Sequence, residues 1–198
     1  MNTKLYNKVI DYDFKKLFEK KYYTYFTKGN FNINIIGVRA KGASITNRFD
    51  DVIILDYKNE KGEWHRDVYK ATTDPGLYYM KSLASKKGCA IMVPGQYRGL
   101  WKLGYHKGEY LALVQNKPVK VYRDGNKNDV YDLNPKTIEE GIYGINLHHA
   151  GTDSISVDKW SAGCQVIARL RDFHQLMKTC MKQNCNTFTY TLLREEDL

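Results

Sequence analysis

Asp51-Val52-Ile53-Ile54-Leu55-Asp56-Tyr57, the loop Lys58-Asn59-Glu60-Lys61-Gly62 and the run Trp64-His65-Arg66-Asp67-Val68-Tyr69-Lys70-Ala71-Thr72-Thr73 read together as an antiparallel hairpin. Both arms are rich in β-branched and aromatic residues, and the link is short, polar and carries a glycine. Asp74-Pro75-Gly76 then closes the second arm: proline presets φ for a turn and glycine accepts φ > 0. Upstream, Asn32-Ile33-Asn34-Ile35-Ile36-Gly37-Val38-Arg39 is another β-branched run. Downstream, Cys89–Val93, Tyr110–Gln115 paired with Val119–Arg123, Ile142–His148 and Thr187–Leu193 read as further strands. Many short strands and few helices predict a mainly β fold, a β-sandwich or a barrel-like closure, with an N-terminal helix and one or two short helices.

The helical readings are fewer. Leu5, Val9, Ile10, Phe14, Leu17 and Phe18 recur at three- and four-residue steps, which predicts one amphipathic helix in an N-terminal arm over residues 1–29, packed on a single β domain over residues 30–198. Residues 77–87 read as one short helix ending at Lys86-Lys87-Gly88. Phe173, Leu176, Met177, Cys180 and Met181 form a second helical stripe. No repeat, low-complexity linker or second domain interrupts the pattern.

Composition bounds the function. The 198 residues are 42% hydrophobic with 16 tyrosines, which excludes a disordered chain. Lys and Arg number 31 against 22 Asp and Glu, a net charge of +9, so the surface is drawn to polyanions such as an anionic cell-wall polymer or nucleic acid, or is charged for solubility alone. The lysines are scattered rather than gathered in a nucleic-acid-binding arm, which argues against a nucleic-acid partner. No stretch is long and apolar enough for a membrane span, and Met1–Tyr6 lacks the apolar core of a signal peptide. A protein made in the cytoplasm then needs another route to any outside target. Four cysteines with no C-x-x-C pair form neither a disulfide scaffold nor a metal site, and His65, His106 and His174 have no partners at ligand spacing, so no metal or cofactor is expected.

The chemistry concentrates between Ile145 and Ile167. Adjacent histidines, His148 and His149, end an apolar run, and Cys164 follows His148 by 16 residues in the small-residue turn Ser161-Ala162-Gly163-Cys164. A thiol needs a base to become a strong nucleophile near neutral pH, and a histidine on one segment facing a cysteine on the next supplies it. Ser161 positions the turn, while Gly163 and Cys164 offer backbone N–H groups to a developing oxyanion. Neighbouring residues on a strand point to opposite faces, so only one histidine faces Cys164. His148 is the expected base and His149 lines the substrate or meets solvent. Asp153, Asp158 or a backbone carbonyl would orient the imidazole. Trp160, beside the turn, reads as a pocket wall or core residue. Tyr97 and Arg98 read as binders of a substrate carboxylate, with a surface arginine in a glycine-rich turn as the alternative. Cys89 and Cys180 read as core, and Cys185 as incidental.

Ile145-Asn146-Leu147-His148 followed by Ser161-x-Gly163-Cys164 resembles the catalytic motif of the L,D-transpeptidase (YkuD-type) family, in which an Ile-His-Gly-type segment precedes Ser/Thr-His-Gly-Cys. Ala71-Thr72-Thr73-Asp74-Pro75-Gly76 is similar to that family's Thr-Pro-x-Gly turn, and the wording around Trp160-Ser161-Ala162-Gly163-Cys164-Gln165 is similar to small bacteriophage proteins related to the family. The likeness spans residues 64–170, with its specific part in the cysteine segment. It departs at Ala162, where the family usually has a second histidine, and at Gln165-Val166, which replaces a cationic or polar continuation. The resemblance implies acyl transfer on peptidoglycan stem peptides, with Cys164 as nucleophile and His148 as base. Hydrolysis or transpeptidation follows, at a cell wall reached by holin-type release or from a virion. A non-catalytic relative serving as a phage structural or host-binding protein is the rival expectation.

Overall fold

The hairpin forms as read. In the computed structural model, which describes residues 2–42 and 44–198, β2 (Asp51–Lys58) and β3 (Trp64–Thr72) pair antiparallel from Asp51↔Ala71 to Lys58↔Trp64. β1 (Asn34–Arg39) lies antiparallel on the other side of β2. The remaining strands are β4 (Cys89–Met92), β5 (Gly95–His106), β6 (Tyr110–Gln115), β7 (Val119–Asp124), β8 (Glu139–Gly141), β9 (Leu147–His149), β10 (Gln165–Ile167) and β11 (Thr187–Arg194). Eight of them close into a barrel in the order β1-β11-β5-β6-β9-β10-β3-β2, and β4, β7 and β8 form a separate three-stranded sheet. The fold is mainly β, and of the two expected architectures it is the barrel.

Alternation explains why β1 and β2 read as unbroken apolar runs. Ile35, Ile53 and Leu55 point into the barrel with Trp101, Leu113, Leu147, Ile167 and Phe188. Ile36, Val38, Val52 and Ile54 point outward and are covered by Leu5, Val9, Phe14, Leu17 and Phe18 of the N-terminal segment. Strands buried on both faces lose the polar half of the period-2 pattern.

The single N-terminal helix is corrected to two, α1 (Thr3–Val9) and α2 (Phe14–Lys20). Asp13 interrupts the stripe: its carboxylate accepts the Lys16 N–H at 3.0 Å and caps a new helix. The carbonyls freed at the break, those of Val9, Ile10 and Tyr12, accept from Arg66 Nη1 at 3.0, 3.1 and 2.8 Å. The break is therefore recognised by a residue of β3.

Other boundaries moved for similar reasons. The helix read over 77–87 is only α3 (Leu77–Lys81). The helix read from the Phe173 stripe is α4 (Leu170–Cys180), which ends one residue before Met181. β6 and β7 do not pair with each other; β7 leaves the barrel to lie between β4 and β8. The strand read from Ile142 shrinks to β9, because the Tyr143 and Ile145 N–H groups donate to the Gln115 side-chain oxygen at 3.0 and 2.8 Å instead of to a strand. The turn expected around Gly95–Gly99 belongs to β5, where Gly99 at φ +65° meets a register shift of β11 between Phe188 and Tyr190. These short ladders thin the barrel wall at β9 and β10, where the cysteine segment lies.

Candidate active site

β9 and β10 run parallel, with Leu147 opposite Gln165, His148 opposite Val166 and His149 opposite Ile167. Paired residues share a face, and so do residues two apart, so His148, Val166 and Cys164 face one way while Leu147, Gln165 and Ile167 face the barrel interior. Cys164 accordingly packs on the small cluster of Phe49, Ala150, Val157 and Val166 outside the barrel. With strands about 4.8 Å apart and about 3.3 Å of rise per residue, the diagonal from His148 to Cys164 is about 8 Å between Cα atoms. The His149 ring lies 4.4 Å from that of Tyr110 and 5.0 Å from that of Phe173, and the Tyr110 ring lies 5.6 Å from that of His106.

The imidazole is held in one tautomer. His148 Nδ1 lies 2.9 Å from the His149 carbonyl oxygen. A carbonyl only accepts, so Nδ1 carries the proton and Nε2 keeps its lone pair, the arrangement a base needs. The orienting group is thus the backbone. Asp153 instead pairs with Arg169 at 2.9 Å, and Asp158 accepts from the Asn47 amide at 2.6 Å. Nε2 makes no hydrogen bond among the described residues. The Cys164 thiol donates to the Gly144 carbonyl at 3.3 Å. Catalytic hydrogen bonds often close only once substrate is seated.

The cysteine turn is fixed by three contacts. Ser161, fully buried, donates its hydroxyl to the Cys164 carbonyl at 2.8 Å and accepts the Gly163 N–H at 3.1 Å. Gly163 sits at φ +130°, and a Cβ there would lie 2.4 Å from the Ala90 carbonyl of β4, so only glycine fits. The expectation that Gly163 lends its N–H to an oxyanion is corrected: that N–H is held by Ser161. The Cys164 N–H, which has no hydrogen bond among the described residues, is the donor left for that task. Below the turn, the Cys89 thiol reaches the Ala162 carbonyl at 3.7 Å, and Gln165, buried, accepts from the Tyr190 hydroxyl at 2.7 Å.

His106 is the residue that sequence reasoning missed. It ends β5, is 6% exposed, and stacks on His148 with ring centroids 4.1 Å apart and planes 22° apart. Its Nδ1 lies 3.1 Å from the Asn146 amide nitrogen, which only donates, so the His106 proton is on Nε2. The Asn146 side-chain oxygen takes the Gln115 N–H at 2.8 Å, which fixes the amide the right way round. No local signal links residues 106 and 148; β6 between them creates the contact.

Electrostatically the pair is neutral at pH 7. Burial, reinforced by the neighbouring His106, pushes the His148 imidazole down to about 3. Burial also raises the Cys164 thiol, against smaller lowering contributions from the Asn146 backbone and Lys107. A thiolate–imidazolium pair is therefore not the resting state of these two groups.

Three expected site residues lie elsewhere. Trp160 is exposed, its ring against Gly151 on the outer side of the turn, in a groove with Leu77 and Tyr78. Tyr97 donates its hydroxyl to the Val93 carbonyl at 2.7 Å and packs on the barrel core. Arg98 opens into a separate cavity with Lys117, Cys185, Thr187 and Thr189. Leu103, Leu113 and Leu147 align across three strands. Arg98, five residues back along β5 from Leu103, is therefore about 17 Å from the level of β9. Neither Tyr97 nor Arg98 is in contact with Cys164. Among the described residues no three His, Cys, Asp or Glu side chains gather as metal ligands, and no helix is long and apolar enough to cross a membrane. No family model, curated protein or solved structure matches the chain.

Proposed function

We propose that the protein is a cysteine-nucleophile acyl-transfer enzyme acting on peptidoglycan stem peptides, a phage-type cell-wall peptidase that reaches the wall by holin-type release or from a virion. The observation that carries this reading is the shared face of His148 and Cys164 on adjacent parallel strands, with Nε2 free by tautomer. The likeness of the cysteine segment to L,D-transpeptidases supports the choice of substrate, and the +9 charge suits an anionic wall.

In this mechanism His148 Nε2 takes the Cys164 proton as Sγ attacks the peptide carbonyl carbon. The oxyanion of the tetrahedral state accepts from the Cys164 N–H. Its collapse breaks the C–N bond, the amine leaves with the proton from the imidazolium, and a thioester remains. Water, losing a proton to His148, releases the acid in hydrolysis; an amine resolves the thioester in transpeptidation. One observation favours a binding role instead: burial keeps both Cys164 and His148 neutral. Digestion of purified sacculi, read by mass spectrometry of the fragments, tests the reading. Wild-type protein is expected to release peptide fragments that Cys164→Ser and His148→Ala do not. Equal release by all three proteins defeats the mechanism, and no release by any of them leaves the binding role.

A further inference from the structure

Beside the cysteine turn lies a groove of about 760 Å³ between α3 and residues 158–160, within the range of about 300–1,000 Å³ of small-ligand sites. Leu77 contributes an aliphatic patch, and Tyr78 and Trp160 contribute aromatic rings that are 42% and 43% exposed. The Lys159 ammonium lies 4.5 Å from the Tyr78 ring centre, and Ser82 adds a hydroxyl. Two exposed aromatic residues thus line one groove together with polar groups at its rim.

The groove is built rigidly. Asn47 accepts the Leu77 N–H at 3.0 Å and the Asp158 N–H at 2.8 Å, and so ties the two walls together. Asp158 is held at φ +39°, a conformation costly for a residue other than glycine and maintained only by such contacts. Gly76 presses against the Asp158 carbonyl, where a Cβ would come within 2.1 Å, and its N–H donates to the Ser161 carbonyl at 2.8 Å. Through Ser161, one wall of the groove is the same turn that carries Cys164.

We propose that this groove is a saccharide-binding site that holds the glycan strand of the polymer whose stem peptide lies at Cys164. A pyranose ring presents an apolar C–H face to an aromatic ring and hydroxyls to a polar rim, which matches Tyr78 and Trp160 flanked by Ser82 and Lys159. The charge of the lining favours a saccharide over nucleic acid. Lys81 is already paired with Asp129 at 2.7 Å, which leaves Lys159 as the lining cation without a carboxylate partner among the described residues. A phosphate backbone requires a row of cations. The choice of an amino-sugar glycan rests on the peptidoglycan reading.

The test is titration of the full chain with an N-acetylglucosamine tetrasaccharide, following the indole N–H resonances by NMR. The Trp160 resonance is expected to shift saturably while those of Trp64 and Trp101 stay in place. Tyr78→Ala, at an exposed position, is expected to weaken binding about tenfold, with unmoved Trp64 and Trp101 signals reporting an intact fold. A Trp160 signal that does not saturate, unchanged affinity in Tyr78→Ala, or displacement of the sugar by a single-stranded oligonucleotide overturns the proposal. No turnover is measured, so a negative result here leaves the sacculus assay of Cys164 and His148 unaffected.

Discussion

Replacing His148 by asparagine isolates a pH dependence that the wild-type protein masks. The asparagine amide nitrogen keeps the donor to the His149 carbonyl, so the change removes the titrating group with little disturbance. Burial, with His106 stacked alongside, holds the folded imidazole at about 3, against about 6.5 in the unfolded chain. The folded value is the lower one, so on acidification the unfolded chain takes up the proton first. The His148 contribution to stability is whole above about pH 7 and is lost as pH falls through 6.5 toward 3. Integrated from pH 7 to pH 5, the proton uptake of the unfolded chain alone costs about 2 kcal/mol. That figure is nearly the same for any folded value well below 5. Asp51 acts in the opposite sense. Its burial beside Asp74 raises its carboxyl to about 8, so the folded state retains a proton that the unfolded chain releases, and its contribution improves over the same acidification. The two trends offset in wild type, and only the difference between proteins is diagnostic. Urea denaturation of wild type and His148→Asn at pH 7 and pH 5 is expected to show the stability gap narrowing by about 2 kcal/mol at the lower pH. A gap constant to within about 0.5 kcal/mol would refute the claim that His148 is buried and neutral.

Two further outcomes follow from the cysteine segment. Cys185 is exposed, and hydrogen bonds from Thr187 lower its thiol, whereas burial raises those of Cys164, Cys89 and Cys180. Iodoacetamide followed by peptide mapping is expected to label Cys185 first at pH 7. In Cys185→Ser the labelling of Cys164 should keep rising into the alkaline range, and a plateau near neutral pH would contradict the neutral pair. Ser161→Ala strips a buried hydroxyl from both the Cys164 carbonyl and the Gly163 N–H, which predicts a loss of about 2–3 kcal/mol by denaturant unfolding. A loss below about 0.5 kcal/mol would show that the serine does not hold the turn.

What the sequence determined by itself was local. The β2–β3 hairpin, the α4 stripe and the strands at 110–115 and 187–193 came from periodicity and turn chemistry, which act within a few residues of chain. Strand alternation likewise required that His148 and His149 face opposite ways. It did not say which of them pairs beside the cysteine segment; the parallel register sets His148 opposite Val166, two residues after Cys164. Helical periodicity ran straight through Asp13, because the Arg66 side chain that receives the broken carbonyls comes from β3. Tyr97 and Arg98 read as binders of a substrate carboxylate, and the length of β5 sets them well back from Leu147, while the far end of the same strand brings His106 onto His148. Which strand lies beside which is set by closure of the barrel, an interaction among segments far apart in the chain, and no local pattern encodes it.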